Sequence, residues 1–302
     1  MEEICNFPKI LSIQSHVVHG YVGNKSAVFP LQLLGFEVDS INSVQLCTHT
    51  GYKKVTGQIL KEDDLADLVE GLKENQLDKY DYLLTGYVGS FSFLQEIAKV
   101  YEHLKSVNSN IIFVCDPVMG DNGQLYVPKE LIPLYIDTIV PIADILTPNH
   151  FELELLTERK VDNLEDAWKS IDMLHSKGCK TVVVSSSELG EADHLLALAS
   201  TKLGETNQKV TITLKKKQGT FVGTGDIFAA LTLAWMHKTN NNLKMSLEYT
   251  IATVQSVIDR TLHCAEGLIH TAATLELKLI QSKKDIEAPS VTFFAKCISE
   301  NS

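Results

Sequence analysis

The sequence predicts an α/β fold in which a mainly parallel central sheet is covered by helices. Three observations predict it. Short, almost unbroken apolar runs recur along the chain; segments with helical apolar spacing alternate with them; and no Pro-, Gly- or Ser-rich linker, fixed-period repeat or low-complexity tract divides the 302 residues. Strands buried on both faces read as continuous apolar runs, which is the signature of a parallel sheet between helical layers. The chain is therefore expected to form one domain over residues 1–302.

In order, Lys9–Ser15 (KILSIQS) is an apolar run ending in a polar cluster, and Asn24–Leu34 reads as a helix closed by Gly35. Phe36–Val44 alternates apolar and polar residues as a half-buried strand does. Further strand-like runs fall at Tyr82–Thr85, Ile111–Cys115, Asp144–Thr147 and Thr181–Ser185, separated by helical patterns at Glu62–Glu74, Phe91–Val107 and Leu164–Lys177. Leu195–Ala199 and Lys209–Thr213 look like two more strands. The last third reads as helical at Gly225–Lys238, Leu243–His263 and Ala272–Gln281.

Composition narrows the function classes. A hydrophobic content of 44% with 22% charged residues is that of a globular protein with a sizeable core. The formal charge of -11 disfavours long-range attraction to nucleic-acid phosphates, and Lys215-Lys216-Lys217, the one basic run, reads as a solvated turn. The six cysteines (Cys5, Cys47, Cys115, Cys179, Cys264, Cys297) show no C-x-x-C pairing, so neither a zinc module nor a disulfide framework is indicated. Met1–Pro8 carries two Glu and an early Pro where an export signal has a basic start and a long apolar stretch, and no segment approaches the ~18 apolar residues of a membrane span. A cytoplasmic protein with no nucleic-acid or membrane partner is the expectation.

The sharpest local signal is Phe221–Phe228 (FVGTGDIF), where glycines precede a strongly helical segment. Two glycines allow a tight turn, so that several N–H groups of the first helical turn face one anion such as a phosphate. Asp226 sits at that positive helix end, and its carboxylate beside a substrate hydroxyl could take the proton. The same octapeptide also reads as a turn with Thr224 or Asp226 as a helix cap.

Together with Ser12–Gly23 (SIQSHVVHGYVG), His49–Tyr52 (HTGY), Tyr80–Tyr87 (YDYLLTGY), Val114–Asp121 (VCDPVMGD) and Asp144–Asn149 (DILTPN), this motif resembles the ribokinase-like kinases and, within them, the pyridoxal kinase family. The ordered set runs from the N-terminus to about Asp285. The resemblance implies a three-layer α/β/α ribokinase-like fold and ATP-dependent phosphorylation of the 5′-hydroxymethyl group of pyridoxal, pyridoxine and pyridoxamine. It implies Asp226 as base and the backbone of Gly223, Thr224 and Gly225 as anion hole. Ser15, Val22, His49, Thr50 and Tyr87 match positions lining the vitamin pocket. Asp121, Tyr126, Asn149, Glu152, Ser186 and Thr224 match the nucleotide side, and Asp116, Asp121, Thr147, Glu152 and Ser185 lie toward Mg²⁺, or another divalent cation, and K⁺. A homodimer is implied as well. The sequence departs from the family pattern at the short Asp121–Tyr126 connection and across Leu189–Thr220.

Taken alone, Ser15 reads as a strand-end turn, Tyr87 as a buried aromatic, His49 as a structural histidine, and Thr147-Pro148-Asn149 as a turn before a helix. Two rival functions fit the fold: a kinase for hydroxymethylpyrimidine, which is also a flat heteroaromatic alcohol, and a silent nucleotide- or vitamin-binding regulator. Asp226, the two glycines and the Asp116/Asp121 pair count against the regulator.

Overall fold

The structure, a computed structural model, describes residues 7–204 and 206–298, so Cys5 lies outside the described residues. In chain order the elements are β1 (Lys9–Val17), α1 (Asn24–Leu33), β2 (Glu37–Leu46), β3 (Gly57–Ile59), α2 (Glu62–Glu74), β4 (Tyr82–Thr85), α3 (Phe91–Val107), β5 (Ile112–Cys115), the pair β6 (Gly120–Asp121) and β7 (Gln124–Leu125), and α4 (Leu131–Leu134), which runs into a π-helical turn. Then follow β8 (Ile145–Leu146), α5 (His150–Thr157), α6 (Leu164–Ser176), β9 (Thr181–Ser187), β10 (His194–Leu203), β11 (Thr206–Lys215), α7 (Thr224–Lys238), α8 (Leu243–Cys264), α9 (Lys283–Glu287) and β12 (Lys296–Ile298).

One sheet of ten strands has the order β12-β11-β10-β9-β8-β5-β4-β1-β2-β3. The six central strands from β9 to β2 are mutually parallel, and antiparallel strands extend both edges. Successive side chains on the central strands feed opposite cores, as the two-residue period of a strand requires. Leu83, Phe113 and Val182 enter the core beneath α2 to α6, whereas Leu84, Val114 and Val183 enter the core beneath α1, α7 and α8. That double burial keeps the centres of β4, β5 and β9 apolar and gives the three layers the sequence implied.

Helix boundaries follow their caps. Ser90 accepts from Phe93 N–H at the start of α3, Asn163 from Asp166 N–H at α6, and Asn242 from Met245 N–H at α8, each satisfying a first-turn donor. Gly35, at φ +92°, ends the first helix where the sequence placed the stop.

The helix expected over Ala272–Gln281 is not there. A turn and an irregular stretch precede a single 3₁₀ turn at Ile280–Ser282. Leu275, Leu277 and Leu279 are all buried, an alternation of period two that a helix would have split across its faces, and Lys278 N–H donates to Thr261 Oγ1 of α8. The segment is thus stapled flat along the helical layer. Of the basic run, Lys216 pairs with Glu188 and Lys217 with Asp259 at the surface.

Candidate active site

The topology dictates where a site forms. From β1 the chain moves to β2 on one side and then to β4, β5, β8 and β9 on the other, so the connections diverge beyond the carboxyl ends of β1 and β4. Parallel α/β sheets bind ligands in such a crevice. Ser15 lies near the end of β1, beside an irregularity in its pairing with β2; His49 and Thr50 follow β2, Tyr87 follows β4, Asp116 follows β5, Thr147 and Asn149 follow β8, and Ser185 and Ser186 end β9. The sequence-assigned residues therefore share one edge of the sheet, and α7 delivers Asp226 to the same edge.

The turn Gly20–Gly23 interlocks with the start of α7. The Gly23 N–H acts on the Asp226 carboxylate and draws its pKa down. Neither Gly23 nor Gly223 could carry a side chain: both have positive φ, a Cβ on Gly23 would lie 1.9 Å from the Ser15 carbonyl oxygen, and one on Gly223 would lie 2.0 Å from that of Tyr21. Gly225 faces Asp116, whose Oδ2 is 3.7 Å from the position of a Cβ there. Helix α7 has no side-chain cap, so the N–H groups of its first turn are free to face an anion.

Three carboxylates converge behind this turn. Asp116 is buried, accepts a hydrogen bond from Thr147 Oγ1 at 3.3 Å, and is pushed well above the usual carboxylate range, first by burial and then by the charges of Glu152 and Asp226. Burial lifts Glu152 to about 8 despite hydrogen bonds from the Asn149, Met119 and Gly120 N–H groups. Asp226 is raised to about 6 by burial, against the pull of the Gly23 N–H and its own N–H. Among the described residues none of these three carboxylates takes part in an ion pair, so burial acts on them unopposed by a cation.

Glu152 and Asn149 also do structural work. They form a capping box at the start of α5, with Glu152 Oε2 accepting from Asn149 N–H at 2.9 Å and Asn149 Oδ1 accepting from Glu152 N–H at 2.9 Å. Asn149 Nδ2 donates to Gly120 O at 2.8 Å, tying the helix to the β6–β7 hairpin. Asn122 and Gly123 form that hairpin's two-residue turn, both at positive φ. Asp121, at the hairpin's base, is exposed, and its carboxylate accepts from Asn122 N–H and Nδ2. Tyr126 is exposed beside it, while Ser185 and Ser186 are half-buried. Among the described residues no three His, Cys, Asp or Glu side chains form a group that could hold a metal ion alone.

On the other flank Val22 and Ser15 are buried, Thr50 is exposed, and the Tyr87 carbonyl accepts from Ser43 Oγ while its phenol lies close against Gly89. His49 is buried and both its ring nitrogens are engaged: Nδ1 accepts from Gly51 N–H at 3.1 Å, so the proton sits on Nε2, 3.1 Å from Glu276 Oε1. Sequence reasoning missed Glu276, because it placed that residue in a helix. The alternation of Leu275, Leu277 and Leu279 was the signal that could have found it.

A family model described as phosphomethylpyrimidine kinase matches residues 75–272. The pyridoxal kinase of Bos taurus is 49% identical over 96% of this chain and 98% of its own length, and that of Homo sapiens 46% identical over the same shares. The chain belongs to the pyridoxal kinase family. The solved structure of pyridoxal kinase from Leishmania donovani in complex with ADP and pyridoxamine superposes with a TM-score of 0.91 at 32% identity, covering 96% of this chain and 99% of that one. The ribokinase-like fold and the enzyme class, ATP-dependent phosphorylation of B6 vitamers, follow from this membership. Among the described residues no helix is long and apolar enough to cross a membrane.

Proposed function

We propose that this site transfers the γ-phosphoryl group of ATP to the 5′-hydroxymethyl oxygen of pyridoxal, pyridoxine and pyridoxamine, with Asp226 as the base. The observation that carries the assignment is the interlock of the Gly20–Gly23 turn with the start of α7, where Gly223 closes on the Tyr21 carbonyl and the Gly23 N–H acts on Asp226. Asp226 accepts the hydroxyl proton as the oxygen forms its bond to phosphorus and the bond to the leaving ADP oxygen breaks. The N–H groups at Gly223, Thr224 and Gly225 stabilise charge on the transferring oxygens, the principal demand of phosphoryl transfer. Ser15, Val22, His49, Thr50 and Tyr87 line the vitamin side. His49, with both nitrogens occupied, offers its ring rather than a hydrogen bond.

Asp116, Asp121, Asn149, Glu152, Thr147, Ser185 and Ser186, with Tyr126 and Thr224, make up the nucleotide and cation side. A divalent ion such as Mg²⁺ fits there by charge, since it would offset carboxylates that burial has raised, and by coordination, since Mg²⁺ keeps water and phosphate ligands and needs few from protein. It would offset charge on the ATP phosphates. K⁺ suits the oxygen donors of Thr147, Asp116 and Ser185; replacing K⁺ by Na⁺ at saturating ATP and Mg²⁺ should slow turnover, and equal rates would remove the monovalent site. The sheet that takes strands from β1 to β12 supports one domain. The protein is further read as a cytoplasmic homodimer with a site in each subunit, which sedimentation over a wide concentration range tests.

The deciding experiment is spectroscopic detection of pyridoxal 5′-phosphate formed from pyridoxal and ATP, run in parallel with hydroxymethylpyrimidine. Faster turnover of the pyrimidine would favour the reading that the name of the matching family model raises.

A further inference from the structure

The irregular Thr271–Leu279 stretch brings one carboxylate back across the molecule to the vitamin side. Glu276 is buried, yet three groups reach it: the Tyr52 hydroxyl donates to Oε1 at 2.9 Å, Tyr21 N–H donates to Oε2 at 3.2 Å, and His49 Nε2 stands 3.1 Å from Oε1 as an ion-pair contact. Burial alone would raise its pKa, but the bonds from His49, Tyr52 and Tyr21 outweigh it and hold the carboxyl below its ordinary value. On the Tyr52 phenol burial acts first and the neighbouring Glu276 second, pushing it up to about 12, so that it stays a donor. The His49 and Tyr52 rings meet edge to face at 4.9 Å between centroids.

The approach is cut to fit this carboxylate. A Cβ on Gly20, at φ +91°, would stand 2.3 Å from Glu276 Oε1 and 2.6 Å from Oε2. Each bond falls next to a residue assigned to the vitamin pocket: Tyr21 precedes Val22, and His49 and Tyr52 bracket Thr50. The turn that Tyr21 belongs to also carries Gly23, whose N–H draws down the pKa of Asp226.

We propose that Glu276 is the positioning residue of the vitamin pocket, pinning the Gly20–Gly23 turn and the His49–Tyr52 loop to each other and fixing His49 in its Nε2–H tautomer. The proposal rests on the placement of the vitamin among Ser15, Val22, His49, Thr50 and Tyr87. Loss of the carboxylate frees the His49–Tyr52 loop and loosens Tyr21, while the packing of the Tyr21 carbonyl on Gly223 still holds the turn to α7, so vitamer affinity falls while ATP handling persists.

Steady-state kinetics and melting temperature on Glu276→Ala, Glu276→Gln and Tyr52→Phe test this, with Thr50→Val as a reference for the pocket. Glu276→Ala should raise KM for pyridoxal about tenfold, the scale of lost charge-assisted hydrogen bonds, with KM for ATP within about twofold of the parent. Glu276→Gln keeps the size and two acceptor sites of one oxygen and should recover part of the loss; Tyr52→Phe, which removes one donor of three, should cost about threefold. Equal rises in both KM values, or a loss of turnover that tracks melting temperature alone, would overturn the proposal, as would unchanged vitamer KM in Glu276→Gln and Tyr52→Phe should the alanine variant fail to fold. Unchanged kinetics in Thr50→Val beside a vitamer-selective rise of KM in the Glu276 variants would instead indict the pocket assignment at Thr50 and leave the pin standing.

Discussion

The two ends of the crevice treat buried carboxylates in opposite ways. At the vitamin end Glu276 is met by Tyr52, Tyr21 and His49 and sits below its ordinary pKa; at the phosphoryl end Asp116, Glu152 and Asp226 are all raised, each first by burial, and the charges of Glu152 and Asp226 act on Asp116. The first arrangement is complete within the chain. The second lacks positive charge, so the protein alone carries a tension that nucleotide-bound cations and a substrate hydroxyl are suited to relieve. A site can thus be rigid where it must recognise shape and unsatisfied where it must do chemistry.

The largest effect expected from breaking this contrast is at Asp226. Asp226→Asn should lower phosphoryl transfer at least ~10²-fold, since the amide keeps the size but cannot take a proton, while ATP binding and melting temperature stay near the parent values. Near-normal turnover would show that the side chain is only a cap, where Asn is as good as Asp. Next comes pH. Asp226 is raised to about 6, so the base is ionised above that value and is lost as pH falls through it. Below it kcat/KM for pyridoxal should drop about tenfold per pH unit, a limb that the residual activity of Asp226→Asn should lack.

A smaller change belongs to the vitamin end. Thr50→Val removes an exposed hydroxyl at similar volume and should weaken vitamer use several-fold, as loss of one hydrogen bond of ~0.5–1.5 kcal/mol does, with ATP affinity kept. Unchanged kinetics with all three vitamers would remove Thr50 from the pocket. The smallest effect is on stability. Because the Asp116 pKa is raised in the fold, its ionised form opposes folding at neutral pH, and this penalty shrinks as acidification protonates it. Asp116→Asn should therefore raise the melting temperature of the ligand-free protein by roughly 2–4 °C, the shift that ~1 kcal/mol gives in a large domain, even as it lowers activity. Because Asn can still accept from Thr147 Oγ1, a drop in melting temperature would mean that the buried charge is not the destabilising element at this position.

The same contrast governs what the sequence made legible. Strands β4, β5 and β9 were readable because burial on both faces leaves an apolar centre in each (Leu83-Leu84, Phe113-Val114, Val182–Val184), and α2 and α3 because their apolar positions recur at helical spacing. Edge strands β3 and β12 and the β6–β7 hairpin escaped, being only two or three residues long, although Asn122-Gly123 carried a hairpin signal. The phosphoryl end was found through Phe221–Asp226 and Val114–Asp121, contiguous motifs that bring their own turn chemistry. Glu276 belongs to no such motif: what defines it is three donors far away in the chain, and the apparent helix over Ala272–Gln281 hid the alternation that frees it to reach them.

The bond from Tyr21 to Glu276 spans 255 residues, and the approach of Gly223 to the Tyr21 carbonyl joins the same turn to α7. Closing the pocket therefore depends on some of the longest-range contacts in the chain, the kind whose loop entropy must be overcome before they repay it. During synthesis the N-terminal turn waits for nearly the entire polypeptide, and a chain ending after α7 already holds Asp226 yet lacks the pin for its vitamin side. In refolding, recovery of vitamer binding should accordingly lag behind recovery of helical signal, making substrate affinity a reporter of the last step of assembly rather than of the first.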